Sequence, residues 1–177
     1  MKKCAFFDRD GVINQDLGYV YKAEDFIFNQ GLFELLDTLK KQDYLLLVIT
    51  NQSGIARGYY TEDELIALHN HMQQCLRNTL GFGFDKIYFC PHLPTQNCQC
   101  RKPKIGMILS AMQDFDIDLQ NSFFIGDKIT DMQCAMAANI NGKFLLSTQE
   151  LEDKSLQNVQ KVATLEELHS IIKRNFI

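Results

Sequence analysis

The sequence predicts an α/β fold, a three-layer open parallel sheet with helices on both faces. Short apolar runs alternate with longer amphipathic stretches, and the polar clusters fall directly after the apolar runs. No repeat, low-complexity stretch or linker interrupts this pattern, so residues 1–177 read as a single domain. The first run, 3–7, is almost continuously apolar, as a parallel strand covered on both faces must be. Leu32, Leu35, Leu36 and Leu39 then recur at helical spacing, and residues 44–50 supply a second strand. Thr61-Glu62-Asp63-Glu64 can cap a helix, the Thr hydroxyl and a Glu carboxylate satisfying its first amides. The apolar stripe of that helix is Leu65, Leu68, Met72, Cys75 and Leu76. Strands follow at 86–90, 122–125 and 143–146, and Thr164-Leu165-Glu166-Glu167 repeats the cap before a last helix. Residues 81–84 and 91–104 are irregular, and the tail after Thr148 adds that helix but no chemistry. Right-handed crossovers would make this a Rossmann-like sheet, which takes ligands beyond the carboxyl ends of its strands. No insertion is long enough to form a large cap domain.

With 177 residues, 46% of them hydrophobic, the chain can bury roughly 70% of its extended surface and needs no disulfide staple. Eighteen Lys and Arg against 22 Asp and Glu leave a net charge of −4. That argues against a nucleic-acid or membrane-surface binder, whose affinity comes from excess cation. It leaves room for a small anionic substrate met by a few local cations. No apolar run approaches the ~20 residues of a spanning helix. The opening run, 4–7, is too short for a secretory signal. A cytoplasmic monomer is the expectation.

After the first strand comes Asp8-Arg9-Asp10-Gly11-Val12-Ile13-Asn14. Side chains at i and i+2 share a face, so Asp8 and Asp10 can enter one cleft. One could attack phosphorus and the other handle the leaving group's proton, although a solvated acidic turn would read the same way. Thr50-Asn51-Gln52-Ser53-Gly54 offers a hydroxyl and a small-residue loop that can aim amides at an anion, or a helix cap. Arg101-Lys102-Pro103 supplies cations for a phosphoryl group, or a surface pair. Gly126-Asp127-Lys128-Ile129-Thr130-Asp131 carries two carboxylates suited to a hard cation, or a loop and cap. Cys90-Pro91-His92, five further residues, and Cys98-Gln99-Cys100 hold four ligands of the kinds that bind tetrahedral Zn²⁺. A reduced loop with a labile thiol pair is the other reading of that cluster.

In this order, from Asp8 to about Asp131, the segments resemble the haloacid dehalogenase-type phosphatases. The tighter resemblance is to the histidinol-phosphatase/heptose-bisphosphate phosphatase group, through the Asp8 motif, Thr50 to Gly54, and the Cys90 to Pro103 cluster. Gly18-Tyr19-Val20 and Gly54-Ile55-Ala56-Arg57-Gly58 favour the heptose-bisphosphate branch. The resemblance implies a Mg²⁺-dependent hydrolase acting on the 7-phosphate of D-glycero-D-manno-heptose 1,7-bisphosphate. Its product would feed lipopolysaccharide or related glycan assembly in a bacterial cytoplasm. Asp8 would be the nucleophile, forming an aspartyl-phosphate, and Asp10 the acid and then the base. Thr50 and Lys102 would hold and neutralise the transferring phosphoryl group. Asn51, Gln52, Ser53, Arg101 and Tyr19 would bind substrate, Arg101 facing its remainder. Mg²⁺ would lie on Asp8, the Asp10 carbonyl and Asp127, with Asp131 a supporting acid and Lys128 beside the metal-bound acids. Zn²⁺ on Cys90, His92, Cys98 and Cys100, within the loop 90–100, would be structural, because four protein ligands leave no open position. Its loop would fix Arg101 and Lys102 over the cleft. Two other readings stay open: a histidinol-phosphate phosphatase with the same machinery, and a zinc-stabilised binding module with an inert site.

Val12 stands where that family often has threonine, the gap between the zinc half-sites is short, and 135–139 lacks glycines often found there. His69 and His71, two apart on a helix, make a poor metal pair and read as solvated; His169 reads the same way. Tyr19 and Tyr21 either line the sugar site or pack beneath the loop. Cys4, Cys75 and Cys134 read as small buried hydrophobes.

Overall fold

The computed structural model describes residues 1–149, 156 and 158–176. The strands are β1 (Cys4–Phe7), β2 (Leu45–Asn51), β3 (Lys86–Cys90), β4 (Phe123–Gly126), β5 (Gly142–Leu146) and β6 (Gln160–Val162). All pair in parallel, in the order β3-β2-β1-β4-β5-β6. The main helices are α1 (Leu32–Lys41), α2 (Glu62–Leu80), α3 (Gly106–Asp114), α4 (Ile129–Ala137) and α5 (Leu165–Asn175).

The period of two along each strand divides the core into two layers. Ala5 and Phe7 of β1, with Leu46 and Val48 of β2, pack against the apolar stripes of α1, α2 and α5. Cys4 and Phe6, with Leu47 and Ile49, pack against α3 and α4 instead. Both faces are therefore covered, and each fully buried Leu or Phe contributes about 1.5–3 kcal/mol. α2 begins as its sequence predicts. Thr61 Oγ1 accepts from the Glu64 amide at 3.2 Å, and Glu64 Oε2 accepts from the Thr61 amide at 2.7 Å. Its end is set by Gly81 in the left-handed region, whose amide donates to the Arg77 carbonyl.

The five expected strands are present within a residue or two, but β6 lies in a tail where only a helix is expected. Gln160-Lys161-Val162 has no apolar run to announce a strand; at the sheet edge one buried residue, Val162, suffices. Cys4 and Cys134 are buried as expected, whereas Cys75 is half-buried, at the margin of the α2 stripe. His169 is also half-buried rather than solvated, its Nε2 2.7 Å from Thr38 Oγ1. Among the described residues no helix is long and apolar enough to cross a membrane.

β1 and β4 are neighbours, yet β1 connects onward toward β2 and β4 toward β5, so the chain direction switches between them. Such a switch opens a crevice at the carboxyl ends of the two strands. The Asp8 amide donates to the Ile125 carbonyl at 2.9 Å, carrying the β1–β4 ladder to the rim of that crevice.

Candidate active site

Asp8, the residue after β1, is 5% exposed. Its Oδ1 accepts from the Arg9 amide at 2.8 Å and lies 2.9 Å from Lys102 Nζ. Among the described residues no hydrogen bond reaches its Oδ2. Lys102, 2% exposed, also donates to the Ile49 carbonyl at 2.7 Å and pairs with Asp131 Oδ1 at 2.7 Å. That last contact is an ion pair without the alignment of a hydrogen bond. Burial alone would lower the proton affinity of Lys102; Asp131 and Asp8 raise it on balance, so it stays charged. Its backbone is clamped by Asn51, whose Oδ1 accepts from the Lys102 amide while Nδ2 donates to the Lys102 carbonyl.

Asp10 has both carboxylate oxygens engaged. Oδ1 accepts from Arg9 Nε at 3.2 Å, Arg9 Nη2 at 2.8 Å and Asn14 Nδ2 at 3.0 Å. Oδ2 accepts from Arg9 Nη2 and Gln52 Nε2, both at 2.9 Å. Burial pushes the Asp10 carboxyl up, but the Arg9 guanidinium and these hydrogen bonds pull it below the usual carboxylate range. Gln52 also donates to Thr50 Oγ1 at 2.9 Å, and its own Oε1 accepts from the Tyr60 hydroxyl at 2.6 Å. The tyrosine thus fixes which end of the amide faces Asp10.

Asp127, after β4, completes an acidic group: one carboxylate oxygen each from Asp8, Asp127 and Asp131 lie within 4.8 Å of one another. Gly11 makes room for it. A Cβ there would lie 2.3 Å from Asp127 Oδ2, and the backbone has φ +86°, which glycine alone adopts without cost. Among the described residues the buried Asp127 Oδ1 has no hydrogen-bond partner, and the nearest cation, Lys128 Nζ, is 3.8 Å from Oδ2. Burial, then the Asp8 charge, pushes the Asp127 carboxyl up to about 7. Burial likewise raises Asp8, against the pull of Lys102. Arg9 is committed to Asp10, and Lys102 is shared between Asp8 and Asp131. A carboxylate excess with an orphaned oxygen is a donor set fitted to a hard divalent cation.

The cysteine loop is compact. Cys90 Sγ lies 2.9 Å from Cys100 Sγ and 3.6 Å from Cys98 Sγ, Cys98 and Cys100 are 3.6 Å apart, and His92 Nδ1 is 3.4 Å from Cys90 and 3.3 Å from Cys100. Zn–S bonds of ~2.3 Å in a tetrahedron place sulfurs roughly 3.7 Å apart, close to two of these three separations. Lys104 Nζ ties the loop down through the Asn97 side chain at 2.6 Å and the Cys98 carbonyl at 2.8 Å.

The polynucleotide kinase 3 phosphatase family model matches residues 3–159. A D-glycero-beta-D-manno-heptose-1,7-bisphosphate 7-phosphatase of Helicobacter pylori (strain J99) is 49% identical over 150 residues, 85% of this chain and 86% of its own. A protein of the same name from Pasteurella multocida is 41% identical over 181 residues, 98% of each chain. A Campylobacter jejuni relative at 49% identity, over 85% of this chain and 86% of its own, carries the alpha form of that name. The crystal structure of D,D-heptose 1.7-bisphosphate phosphatase from B. bronchiseptica, complexed with magnesium and phosphate, superposes with a TM-score of 0.83 at 30% identity, covering 97% of this chain and 98% of its own. The chain belongs to the heptose-bisphosphate phosphatases of the haloacid dehalogenase type.

In this phosphatase one cleft of about 320 Å³ gathers Asp8, Asp10, Tyr19, Thr50, Asn51, Gln52, Ser53, Arg101, Lys102, Lys128 and Asp131. Asp127 joins them through its oxygen cluster with Asp8 and Asp131. Asn51 and Gln52, expected as substrate ligands, have their side-chain amides occupied in bracing Lys102, Thr50 and Asp10. Arg101 leans toward the cysteine loop, its Nη1 donating to the His92 carbonyl at 3.1 Å. Tyr19 is at the rim, edge-on to Tyr59 and beneath Arg57, while Tyr21 stacks on Tyr60. His69 corrects the sequence reading: it is 5% exposed, not solvated, and its Nε2 lies 3.3 Å from Arg9 Nη1. The signal for it was present, since position 69 is four after Leu65 and three before Met72 on the buried stripe. Arg9 and Tyr60 were missed because their roles depend on partners elsewhere in the chain.

Proposed function

We propose that this phosphatase hydrolyses the 7-phosphate of D-glycero-D-manno-heptose 1,7-bisphosphate through an aspartyl-phosphate on Asp8. For the substrate the carrying observation is 41% identity to a curated heptose-bisphosphate 7-phosphatase across 98% of both chains. For the chemistry it is the cleft in which Asp8, Asp10, Thr50 and Lys102 converge.

Asp8 Oδ1 is turned to Lys102 and its own loop, so Oδ2 is the atom that attacks phosphorus. The bond from phosphorus to the sugar oxygen breaks, and Asp10 delivers a proton to that oxygen. Asp10 then takes a proton from the water that attacks the aspartyl-phosphate, releasing inorganic phosphate and restoring Asp8. The Arg9 clamp favours the ionised form of Asp10, and a bound phosphate dianion opposes it by raising proton affinity nearby. Lys102 and the Thr50 hydroxyl hold the transferring oxygens. Mg²⁺ held by the carboxylates of Asp8 and Asp127 and the Asp10 carbonyl would neutralise charge between nucleophile and phosphate. Asp131 serves this set mainly as the anchor of Lys102. Zn²⁺ held by Cys90, His92, Cys98 and Cys100 would close the loop that carries Arg101 and Lys102, with no open position for catalysis.

The test is phosphate release from both anomers of the heptose bisphosphate and from histidinol phosphate, with Mg²⁺ and with chelator. A heptose bisphosphate turned over at least about tenfold more efficiently than histidinol phosphate, only with Mg²⁺, is the expected result. The reverse preference would assign the site to histidinol phosphate.

A further inference from the structure

Arg9 is completely buried, a rare place for a guanidinium, and each of its three nitrogens has an acceptor within reach. Nε and Nη2 donate to Asp10, and Nη2 also to the Val20 carbonyl at 2.6 Å. Nη1 remains, and it faces His69 Nε2 at 3.3 Å. A guanidinium only donates, so Nε2 must be the acceptor, and the imidazole is neutral with its proton on Nδ1. Burial, reinforced by the Arg9 charge, pushes His69 down to about 3, in keeping with that form. The ring is edge-on to Phe89 of β3, with centroids 6.1 Å apart, on the buried face of α2, so it is held away from water.

We propose that His69 is a positioning residue for the hydrolysis: by accepting from Arg9 Nη1 it fixes the guanidinium, and through it the Asp10 carboxylate. The inference rests on Asp10 being the acid and base of the reaction proposed above. Without His69, Nη1 would be left to compete for the acceptors Arg9 already has, the Asp10 oxygens and the Val20 carbonyl. Any turn of the guanidinium toward them moves the carboxylate that must meet first the leaving oxygen and then water. Neither His69 nor Arg9 lines the cleft, so binding should be spared and turnover should not.

Three variants separate acceptor from shape. His69→Phe keeps a ring without an acceptor, His69→Gln carries a carbonyl to about the reach of Nε2, and His69→Asn is polar but too short. Each is assayed with Mg²⁺ on the heptose bisphosphate and on p-nitrophenyl phosphate. The p-nitrophenolate leaves without protonation, so with the aryl ester only the second step needs Asp10. Expected for His69→Phe is a kcat about tenfold or more below wild type on the sugar, with KM within about twofold. On the aryl ester its initial p-nitrophenolate burst keeps its amplitude while the steady rate falls. His69→Gln recovers kcat to within about threefold, and His69→Asn does not. The proposal is overturned if His69→Phe keeps its kcat, if burst and steady rate fall together, or if a folded His69→Gln is as slow as His69→Asn. Should His69→Phe fail to fold, the Gln and Asn pair decides alone. If wild type cleaves the aryl ester but not the sugar, the substrate assignment falls, and the aryl-ester burst still decides the role of His69.

Discussion

At Asp10 five hydrogen bonds from three side chains converge on one carboxylate, so its position depends on Arg9, Asn14 and Gln52, and through Gln52 on Tyr60. Tyr60 is the simplest of these to test. Its hydroxyl donates to Gln52 Oε1, which leaves Nε2 for Asp10 and Thr50. Tyr60→Phe removes that lock, and a flipped amide would set its oxygen against Asp10 Oδ2. The expected loss is about 1 kcal/mol of stability, together with about a three- to tenfold fall in kcat. Thermal melts and steady-state kinetics on one preparation read both. Gly54 belongs to the same unit, since a Cβ there would lie 2.1 Å from the Tyr60 ring. Asp8→Asn is the sharper test of the chemistry: losing the nucleophile should cost at least about 10³-fold in phosphate release, with the fold intact by circular dichroism.

At the scale of elements, the cysteine loop and β2 together decide where Lys102 stands. Asn51 at the end of β2 clamps the Lys102 backbone, and Cys100 is two residues before it. Wild type should therefore bind about one zinc per chain, and Cys98→Ser should lower that content, melt the protein several degrees earlier and reduce kcat about tenfold or more. Metal analysis by mass spectrometry, run beside the activity assay, checks the link; full activity in a zinc-free Cys98→Ser protein would break it. What the sequence made legible follows the same division. Local chemistry was readable: the Thr61 cap, the apolar runs of β1 and β2, the two-residue spacing of Asp8 and Asp10, and the paired cysteine half-sites. Relations across the chain were not. His69 meets Arg9 sixty positions away, Asn51 reaches Lys102, and β6 is defined by its neighbour β5 rather than by any pattern of its own. A stripe position on an amphipathic helix says that a side chain is buried, not what it meets there.

Over the whole molecule the buried acids couple stability to pH and to the cation. Unfolded carboxylates titrate near ~3.9, whereas Asp127 in the fold is pushed up to about 7 by burial and then by Asp8. Between those values the folded protein holds the extra proton, so this group makes stability fall as pH rises. Asp10 has the opposite sign: its contribution is present above the ordinary carboxylate range and lost as pH drops through its lowered folded value. His69 also opposes Asp127, since it stays neutral in the fold down to about 3 while an unfolded histidine charges below ~6.5. The raw pH dependence of melting therefore mixes terms, and a difference between proteins is needed to isolate one. Asp127→Asn removes this raised carboxyl and leaves Asp10 and His69 in both proteins. Without divalent cation, its melting temperature should exceed that of wild type by a margin that widens from pH 5 to about pH 8. Saturating Mg²⁺ should close the gap at pH 8 by stabilising wild type, whose binding requires the ionised acid, and should do little for Asp127→Asn. A gap that stays constant with pH, or a variant that responds to Mg²⁺ as strongly as wild type, would remove Asp127 from the cation site.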